Sequence, residues 1–245
     1  MQITVQLIGE RLSLPIASNE SIQGLLYKAI SDDPSYSSKV HEEGRSFEGR
    51  KYKLFTFGEP EGRYMIQGTE IVYLNEMRLT VRSADPYFIQ LLFAYFTKHK
   101  QIRIGNQMAT VGGVKLNDDR IFEDRIVIRT LSPITAYVTD ENGHTVYYSP
   151  KDEKFYDSLL TNARRKWRSV CGSEEEPPLR IRGLENARYI KRATRFKSTY
   201  ITAWHGTFIL EGSPKFLDFL YRVGLGSKNS QGFGMFEVIK PDSFC

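Results

Sequence analysis

Apolar and polar residues alternate from the start of the chain, where "MQITVQLIGE" predicts a β-strand near residues 2–8. Farther along, the spacing of the apolar residues changes repeatedly between the period of a strand and that of a helix. The first half is predicted to contain a helix near 20–30, strands near 51–57 and 77–82, a helix after Asp85 and Pro86, and strands within 101–115. The second half is predicted to contain a strand near 125–138, a helix near 152–170, a strand pair around 187–211, a helix from Pro214 and a last strand, "MFEVI".

Both halves therefore have the order β-α-β-β-α-β, which is that of the ferredoxin-like split motif. The sequence predicts an α+β protein of two tandem ferredoxin-like domains, residues 1–120 and 121–245, with the boundary at the polar stretch "NDDR". RNA-recognition modules have this type of fold, but a fold does not by itself give a function. An acidic stretch with two prolines, "GSEEEPP", is expected to form a surface loop of the second domain.

The composition adds a modest basic character that is concentrated in the second half. The 245 residues carry a net charge of +5, and residues 123–245 hold 19 lysines and arginines against 15 acidic residues, or +4. The densest basic stretch runs from Arg180 to Lys197, "RIRGLENARYIKRATRFK", with Tyr189 and Phe196 among its cations. Cations attract phosphate, and aromatic rings stack on unpaired bases, so the stretch favours RNA binding. A basic hairpin that only faces solvent is the alternative.

The sequence shows no pattern of a metal site, a disulfide or a membrane span. Cys171 and Cys245 lack ligand or pairing spacing, and the four histidines lie far apart. There is no secretory signal and no apolar stretch long enough to cross a bilayer. We therefore expect a cytoplasmic protein that uses no metal and no cofactor and binds no membrane.

Four glycines lie close together near the end of the sequence, in "GLGSKNSQGFG" from Gly224 to Gly234. Glycine readily adopts positive φ and lets a backbone approach a neighbouring group closely. The stretch is not a nucleotide P-loop, because it reads "GSK" rather than "GKS" and follows a predicted helix. An ordinary flexible loop would not need glycines at this density.

This glycine loop, extended to "GLGSKNSQGFGMFEV", resembles the glycine-rich signature of the repeat-associated mysterious proteins, a superfamily of CRISPR-linked RNA-binding proteins. The segments "IQGLLYKAI", "VHEEG", "KLFTF", "LSPITAY" and "TAWHGTF" follow in the order found in the CRISPR repeat-processing endoribonuclease of that superfamily. The resemblance covers nearly the whole chain, as far as Val238. It implies two ferredoxin-like domains and metal-free cleavage of precursor CRISPR RNA within each repeat, leaving a 2′,3′-cyclic phosphate.

The resemblance also implies a catalytic set of Tyr27, His41 and Lys53. From the local sequence alone, His41 can be a surface histidine without a role. The reading as an acid-base residue rests on the imidazole, which can hold or release a proton near neutral pH, and on Glu42 and Glu43, which would favour its charged form. Tyr27 points away from the apolar face of its helix, so its hydroxyl can face a groove or merely reach solvent. Lys53 begins "KLFTF", but Lys51 is predicted to share its strand face and competes for the role. The family's motif also often has a serine after "FTF", where this chain has Gly58.

The expected partner is CRISPR repeat RNA, held by two basic or glycine-rich segments. The residues predicted to bind it are Arg188, Lys191, Arg192, Arg195 and Lys197 of the basic stretch and Gly224, Gly226, Lys228, Asn229, Gln231, Gly232 and Gly234 of the glycine loop. In the loop, backbone N–H groups are expected to approach phosphates. The alternative function is a non-catalytic RNA-binding subunit of a CRISPR effector complex, which would need no acid-base set. An unrelated tandem RNA-binding protein would leave the ordered segments unexplained.

Overall fold

The computed structural model of the protein describes residues 1–172 and 177–239, without the side chain of Glu43. Most of the predicted acidic loop and Cys245 lie outside these residues. In the first half the helices are α1 (Asn19–Ala29), α2 (Pro34–Ser38) and α3 (Pro86–Lys98), with a π-helical turn at Lys39–Glu43. The strands are β1 (Gln2–Pro15), β2 (Arg45–Phe47), β3 (Arg50–Tyr52), β4 (Phe55–Phe57), β5 (Tyr64–Gln67), β6 (Glu70–Ser83), β7 (Gln101–Ile104) and β8 (Gln107–Asn117).

The first half forms an antiparallel sheet with the order β4-β6-β1-β8-β7, and β5 pairs with β6 beside it. The central order, in which β1 lies between β6 and β8, is that of a ferredoxin-like domain. Helices α1 and α3 bury their apolar stripes against one face of this sheet, where Ile22 and Leu92 meet Val5 in the first hydrophobic core. Asp85 caps α3 as predicted, since its carboxylate accepts a 3.0 Å hydrogen bond from the Tyr87 N–H.

The second half repeats the arrangement. Its elements are β9 (Arg125–Thr130), β10 (Tyr137–Thr139), β11 (Thr145–Tyr147), α4 (Glu153–Cys171), β12 (Leu179–Gly183), β13 (Ile190–Phe196), β14 (Thr199–His205), β15 (Thr207–Gly212), α5 (Pro214–Val223) and β16 (Phe236–Ile239), with a 3-10 turn at Asn229–Gln231. The sheet has the order β12-β15-β9-β16, again that of a ferredoxin-like domain, and the strands pair antiparallel. The α+β class and the tandem ferredoxin-like fold are thus as predicted.

The second half differs from the prediction in how it divides the basic stretch. The strand β12 at the sheet edge was not expected, and it contains Arg180 and Arg182. The hairpin β13–β14 lies outside the four-stranded sheet and carries the rest of the cations except Arg188, which lies just before it. The predicted strand 125–138 is also shorter, because β9 ends at Thr130. Propensity located a strand pair here but missed β12, and it could not tell sheet members from an inserted hairpin, since pairing partners are distant in sequence.

Two separate hydrophobic cores underlie the two sheets, one formed by buried residues 3–109 and one by buried residues 121–236. We therefore propose that the domains are residues 1–120 and 121–245. The glycine loop of the second domain contacts the first domain through two hydrogen bonds. Asn19 Nδ2 of α1 donates to the Gln231 carbonyl at 2.7 Å, and Thr56 Oγ1 of β4 donates to the Phe233 carbonyl at 3.2 Å. No helix in the described ranges is both long and apolar enough to cross a membrane.

Candidate active site

Tyr27 lies on α1 and reaches the surface beside the first core. Ile22, Leu26 and Ala29 of the same helix are buried, whereas Tyr27 is half-buried, as its position on the helix predicted. Its ring meets that of His41 edge-on, with 4.9 Å between the ring centroids, and that of Phe55 at 6.2 Å. Tyr27 therefore packs against His41 through its ring, and its hydroxyl is left to make hydrogen bonds with other groups.

His41 is exposed in the π-helical turn that follows α2. A set of hydrogen bonds fastens α2 to the start of α3: Tyr36 Oη donates to Asp85 at 2.6 Å, and Tyr87 Oη donates to Asp33 at 2.9 Å. Asp33 also accepts from the Tyr36 N–H at 3.0 Å and caps α2. These contacts hold the backbone that presents His41, although the sequence suggested only a polar stretch here.

Lys53 lies between β3 and β4 and donates a 2.8 Å hydrogen bond from Nζ to Tyr27 Oη. The predicted strand 51–57 is therefore two short strands, and the expectation that Lys51 and Lys53 share one strand face is wrong. Lys51 instead donates to the backbone carbonyl of Glu42 at 2.7 Å. The contact with Tyr27 favours Lys53 over Lys51.

The surroundings shift the pKa of both partners of this hydrogen bond. Burial raises the pKa of Tyr27, so the phenol keeps its proton at neutral pH. Burial, together with the charges of Lys197 and Lys51, lowers the pKa of Lys53. Because Lys53 donates to the Tyr27 oxygen, the phenolic proton is left to be donated to another group.

Tyr27, His41 and Lys53 line one wall of a cavity of about 650 Å³ between the two halves of the protein. The opposite wall comes from the second half, including Lys197 at the turn of the hairpin β13–β14 and Lys228 of the glycine loop. Burial lowers the pKa of Lys228, and its ammonium lies 5.1 Å from the centroid of the Tyr137 ring. The fold thus brings together, from distant parts of the sequence, the predicted catalytic set and two of the predicted RNA-binding lysines.

The other predicted cations of the hairpin lie outside this cavity. Arg188, Lys191, Arg192 and Arg195 are exposed along and just before β13. Among the five cations predicted in this stretch, only Lys197 lines the cavity. The exposed row and the cavity therefore form two different parts of a basic surface.

The glycines of the loop serve the packing of the protein itself. Gly224, Gly226, Gly232 and Gly234 all have positive φ. A Cβ at Gly232 would lie 2.5 Å from the Phe57 ring, and one at Gly226 would lie 2.7 Å from the Thr135 carbonyl oxygen. The backbone N–H groups of Gly224, Gly232 and Gly234 donate to the carbonyls of Leu220, Asn229 and Pro133. The expectation that these three N–H groups cradle phosphates is therefore wrong.

Asn229 is likewise an internal residue rather than an exposed polar contact. It is buried, and its Nδ2 donates to the carbonyls of Leu225 at 3.1 Å and Phe233 at 3.0 Å. Its Oδ1 accepts from Lys166 Nζ at 3.0 Å. The side chain predicted to contact RNA is thus engaged in bracing the loop, although Asn229 and Gln231 both line the cavity.

Lys166 of α4 braces the glycine loop, a role that the sequence analysis missed. Its ammonium is buried beneath the loop and donates to the carbonyls of Gly224 at 2.5 Å and Gly226 at 3.2 Å, besides Asn229. Burial lowers its pKa to about 7. The helical period that places Phe155, Leu159 and Ala163 on the buried face of α4 also includes Lys166. This spacing could have indicated from the sequence that Lys166 is buried.

The described residues contain no cluster of three or more histidine, cysteine, aspartate or glutamate side chains that could hold a metal ion. The arrangement at the cavity offers an imidazole, a phenol that can donate a proton in a hydrogen bond, and the amino groups of five lysines: Lys51, Lys53, Lys166, Lys197 and Lys228. Such a set can bind an anionic substrate and move a proton at an oxygen atom.

The chain is similar in sequence and in fold to CRISPR-associated proteins. The family model described as CRISPR associated protein Cas6, C-terminal, matches residues 116–238. The CRISPR-associated endoribonuclease Cas6 of Pyrococcus furiosus is 26% identical over 255 residues, which cover 97% of this chain and 90% of that protein. A solved structure described as the product of a Cas6-related gene from the same organism superposes with a TM-score of 0.84 at 21% identity, covering 98% of this chain and 99% of that one. Another, of a repeat-associated mysterious protein described as binding different RNA substrates, has a TM-score of 0.83 at 22% identity, covering 98% and 100%.

Proposed function

This chain belongs to the Cas6 family of CRISPR-associated proteins, and we propose that it is a metal-independent endoribonuclease that cuts precursor CRISPR RNA within the repeat to produce guide RNAs. The observation that carries the proposal is the convergence of Tyr27, His41 and Lys53 on one wall of the cavity between the halves. The similar protein of Pyrococcus furiosus is named an endoribonuclease, which supports the same activity here. A protein that only binds RNA would not require this acid-base set.

In the proposed reaction the RNA supplies its own nucleophile. The 2′-oxygen next to the scissile phosphate bonds to phosphorus as its proton passes to solvent water. The bond to the 5′-oxygen breaks as that oxygen takes a proton from a side chain of the protein, and the products are a 2′,3′-cyclic phosphate and a 5′-hydroxyl. The attacking oxygen is already tethered beside the phosphorus, which gives it a large advantage over bulk water. The protein has to align the attack, protonate the leaving oxygen and offset the charge that develops on the phosphoryl oxygens.

The three side chains have distinct parts in this reaction. His41 is exposed at the cavity and protonates the leaving 5′-oxygen. The raised pKa of Tyr27 keeps its phenol protonated. Tyr27 therefore orients the RNA by donating a hydrogen bond and does not act as the base. Lys53 fixes the phenol through the 2.8 Å hydrogen bond and places positive charge beside the phosphate.

RNA binding is proposed to extend from the cavity along the hairpin. Lys197 and Lys228 face the phosphates inside the cavity, and Arg188, Lys191, Arg192 and Arg195 add a row of exposed charge outside it. The glycine loop contributes by holding Lys228 and Gln231 in place, with Gly224, Gly226, Gly232 and Gly234 making that path possible. The protein is proposed to act in the cytoplasm, where it delivers its product to a CRISPR effector complex.

The decisive test is cleavage of repeat RNA in the presence of EDTA. We expect cleavage in chelator to give a 2′,3′-cyclic phosphate, and no cleavage when the single 2′-hydroxyl upstream of the scissile phosphate is replaced by hydrogen. The deoxy substrate should bind nearly as tightly, because most phosphate contacts are unchanged. A requirement for magnesium, or cleavage of the deoxy substrate, would overturn this mechanism. Tight binding without cleavage of any repeat would favour the non-catalytic subunit.

A further inference from the structure

A second cavity, of about 260 Å³, adjoins the active-site cavity that Tyr27, His41 and Lys53 line. It lies between α4, β10 and Tyr148, which follows β11, and Arg50 of β3 completes it. Four residues line both cavities: Arg50, Tyr137, Asn162 and Ser227. The two cavities therefore share a border, and a chain that occupies the first can continue into the second.

A polar face of α4 forms one wall of the second cavity. Lys154, Ser158, Thr161 and Arg165 are three or four residues apart, so they lie on one side of the helix, and all four line the cavity. At 1.5 Å per residue, this face extends for about 16 Å from Lys154 to Arg165. A wall of this length and polarity suits an extended polar chain better than a compact apolar ligand.

The charges around both cavities favour an anionic chain. None of the described residues that line the active-site cavity carries a carboxylate. The second cavity has Arg50, Lys154 and Arg165 against the carboxylate of Asp157. Arg165 is paired with Glu48 at 2.8 Å, whereas Arg50 and Lys154 are exposed and make no ion pair within residues 1–172 and 177–239. Arg50 and Lys154 are therefore available to phosphate groups.

RNA that is cut at an internal position has to leave the active-site cavity on both sides of the scissile phosphate. The hairpin β13–β14 borders that cavity at its turn, where Lys197 lies, and none of the hairpin's described residues lines the second cavity. The hairpin and the second cavity thus lie at different borders of the active-site cavity. The exposed cations of the hairpin can bind one flank of the RNA, and the other flank needs a different path.

We propose that the second cavity binds the RNA on one side of the cut, as a single strand that passes Tyr137 and continues along the polar face of α4. Arg50 and Lys154 bind its phosphates, and the hydroxyl groups of Ser158 and Thr161 bind phosphate oxygens or 2′-hydroxyl groups. A volume of about 260 Å³ is that of a small-ligand site, which accommodates one strand and not a duplex. This path rests on the proposed function, since its ligand is the RNA that is cut.

The first test compares salt dependence between full-length and shortened RNA. The probes are synthetic copies of the repeat from the CRISPR array beside the gene, either full-length or shortened stepwise from the 5′ or the 3′ end. With the full-length repeat, Lys154→Gln should lower the slope of log affinity against log salt by about 0.7, the contribution of one contact with a single-stranded phosphate. After removal of the flank that occupies the second cavity, the variant and the wild type should have the same slope. Lys151→Gln, an exposed change outside both cavities, should keep the wild-type slope with every RNA.

The second test blocks the path with a bulky side chain. Thr161→Trp should weaken binding of the full-length repeat by about tenfold, the scale of a few lost phosphate contacts, and shortening the RNA at the same flank should then cause little further loss. Val170→Trp is the matched control, because Val170 is exposed on the same helix and outside both cavities.

Two outcomes would overturn the proposed path: a wild-type salt slope for Lys154→Gln with the full-length repeat, or equal affinities of Thr161→Trp and Val170→Trp for that repeat. Cleavage of the full-length repeat by the wild-type protein in EDTA, measured alongside, reports separately on the proposed activity.

Discussion

Lys53 Nζ lies 2.8 Å from Tyr27 Oη and donates a hydrogen bond to it, although the two residues are 26 positions apart. The contact joins α1 to the segment between β3 and β4 and places an ammonium and a phenol side by side at the cavity. Lys51 lines the same cavity but donates to the Glu42 carbonyl, so the two lysines differ in their partners.

The two lysines should therefore differ in their effect on cleavage. Lys53→Met removes the charge beside the phosphate and the partner of Tyr27, and we expect single-turnover cleavage of repeat RNA to slow by about a hundredfold or more. Lys51→Met removes a cation that also lines the cavity but donates to the Glu42 carbonyl rather than to Tyr27, and should slow cleavage less than about threefold. Equal effects of the two substitutions would argue against the assignment of Lys53.

The substitution His41→Ala should slow cleavage of the repeat RNA without weakening its binding. Loss of a general acid typically slows a reaction by about 10² to 10⁴, so we expect at least a hundredfold slower single-turnover cleavage with unchanged affinity for the repeat. His144→Ala is the matched control, because His144 lies in an exposed turn and outside the cavity. Wild-type cleavage by the His41 variant would remove this residue from the mechanism.

Removing an exposed cation of the hairpin β13–β14 and removing one that lines the cavity should have different effects on RNA binding and cleavage. Arg192→Gln removes an exposed charge and should weaken binding while lowering the slope of log affinity against log salt by about 0.7, the contribution of one contact with a single-stranded phosphate. Lys197→Gln removes a charge inside the cavity and should in addition slow single-turnover cleavage by about tenfold. If the Arg192 variant keeps the wild-type salt slope, this face of the hairpin does not contact RNA.

Substitution of a glycine in the glycine loop should lower stability through steric overlap as well as through the strain of positive φ. Gly232 and Gly143 have nearly the same φ, 84° and 81°, but only Gly232 would place a Cβ against another group, the Phe57 ring at 2.5 Å. Gly143→Ala should lower the free energy of unfolding by about 1–2 kcal/mol through positive φ. Gly232→Ala should lower it by about 1–3 kcal/mol more through overpacking. Urea unfolding measures both, and equal losses would contradict the packing role.

Lys166 should make the stability of the protein depend on pH. Folding lowers its pKa from 10.5 to about 7, so between these values the unfolded chain binds more protons than the folded protein. The contribution of Lys166 to the free energy of unfolding therefore rises with pH across this window. In Lys166→Met we expect a shallower rise between pH of about 7.5 and 9.5 than in the wild type, measured by urea unfolding. Lys154→Met, an exposed change on the same helix, should keep the wild-type slope.

Local patterns in the sequence determined much of the architecture. The alternation of β1, the apolar stripes of α1 and α5, and the caps at Asp85 and Ser213 are properties of neighbouring residues, so the elements and their order could be predicted. The order of the elements led to two ferredoxin-like domains. The direction of Tyr27 away from the buried face of α1 was predicted on the same basis.

Tertiary structure decided which of these residues meet and what the glycines are for. The contact between Tyr27 and Lys53, the approach of Lys197 to the same cavity and the burial of Lys166 all join segments that are far apart in the sequence. Local periodicity carries no information on such contacts, because they follow from how each domain folds and from how the two domains pack. Four glycines indicated a close approach, but only the packed domains showed that the approach is to the protein's own carbonyls and the Phe57 ring.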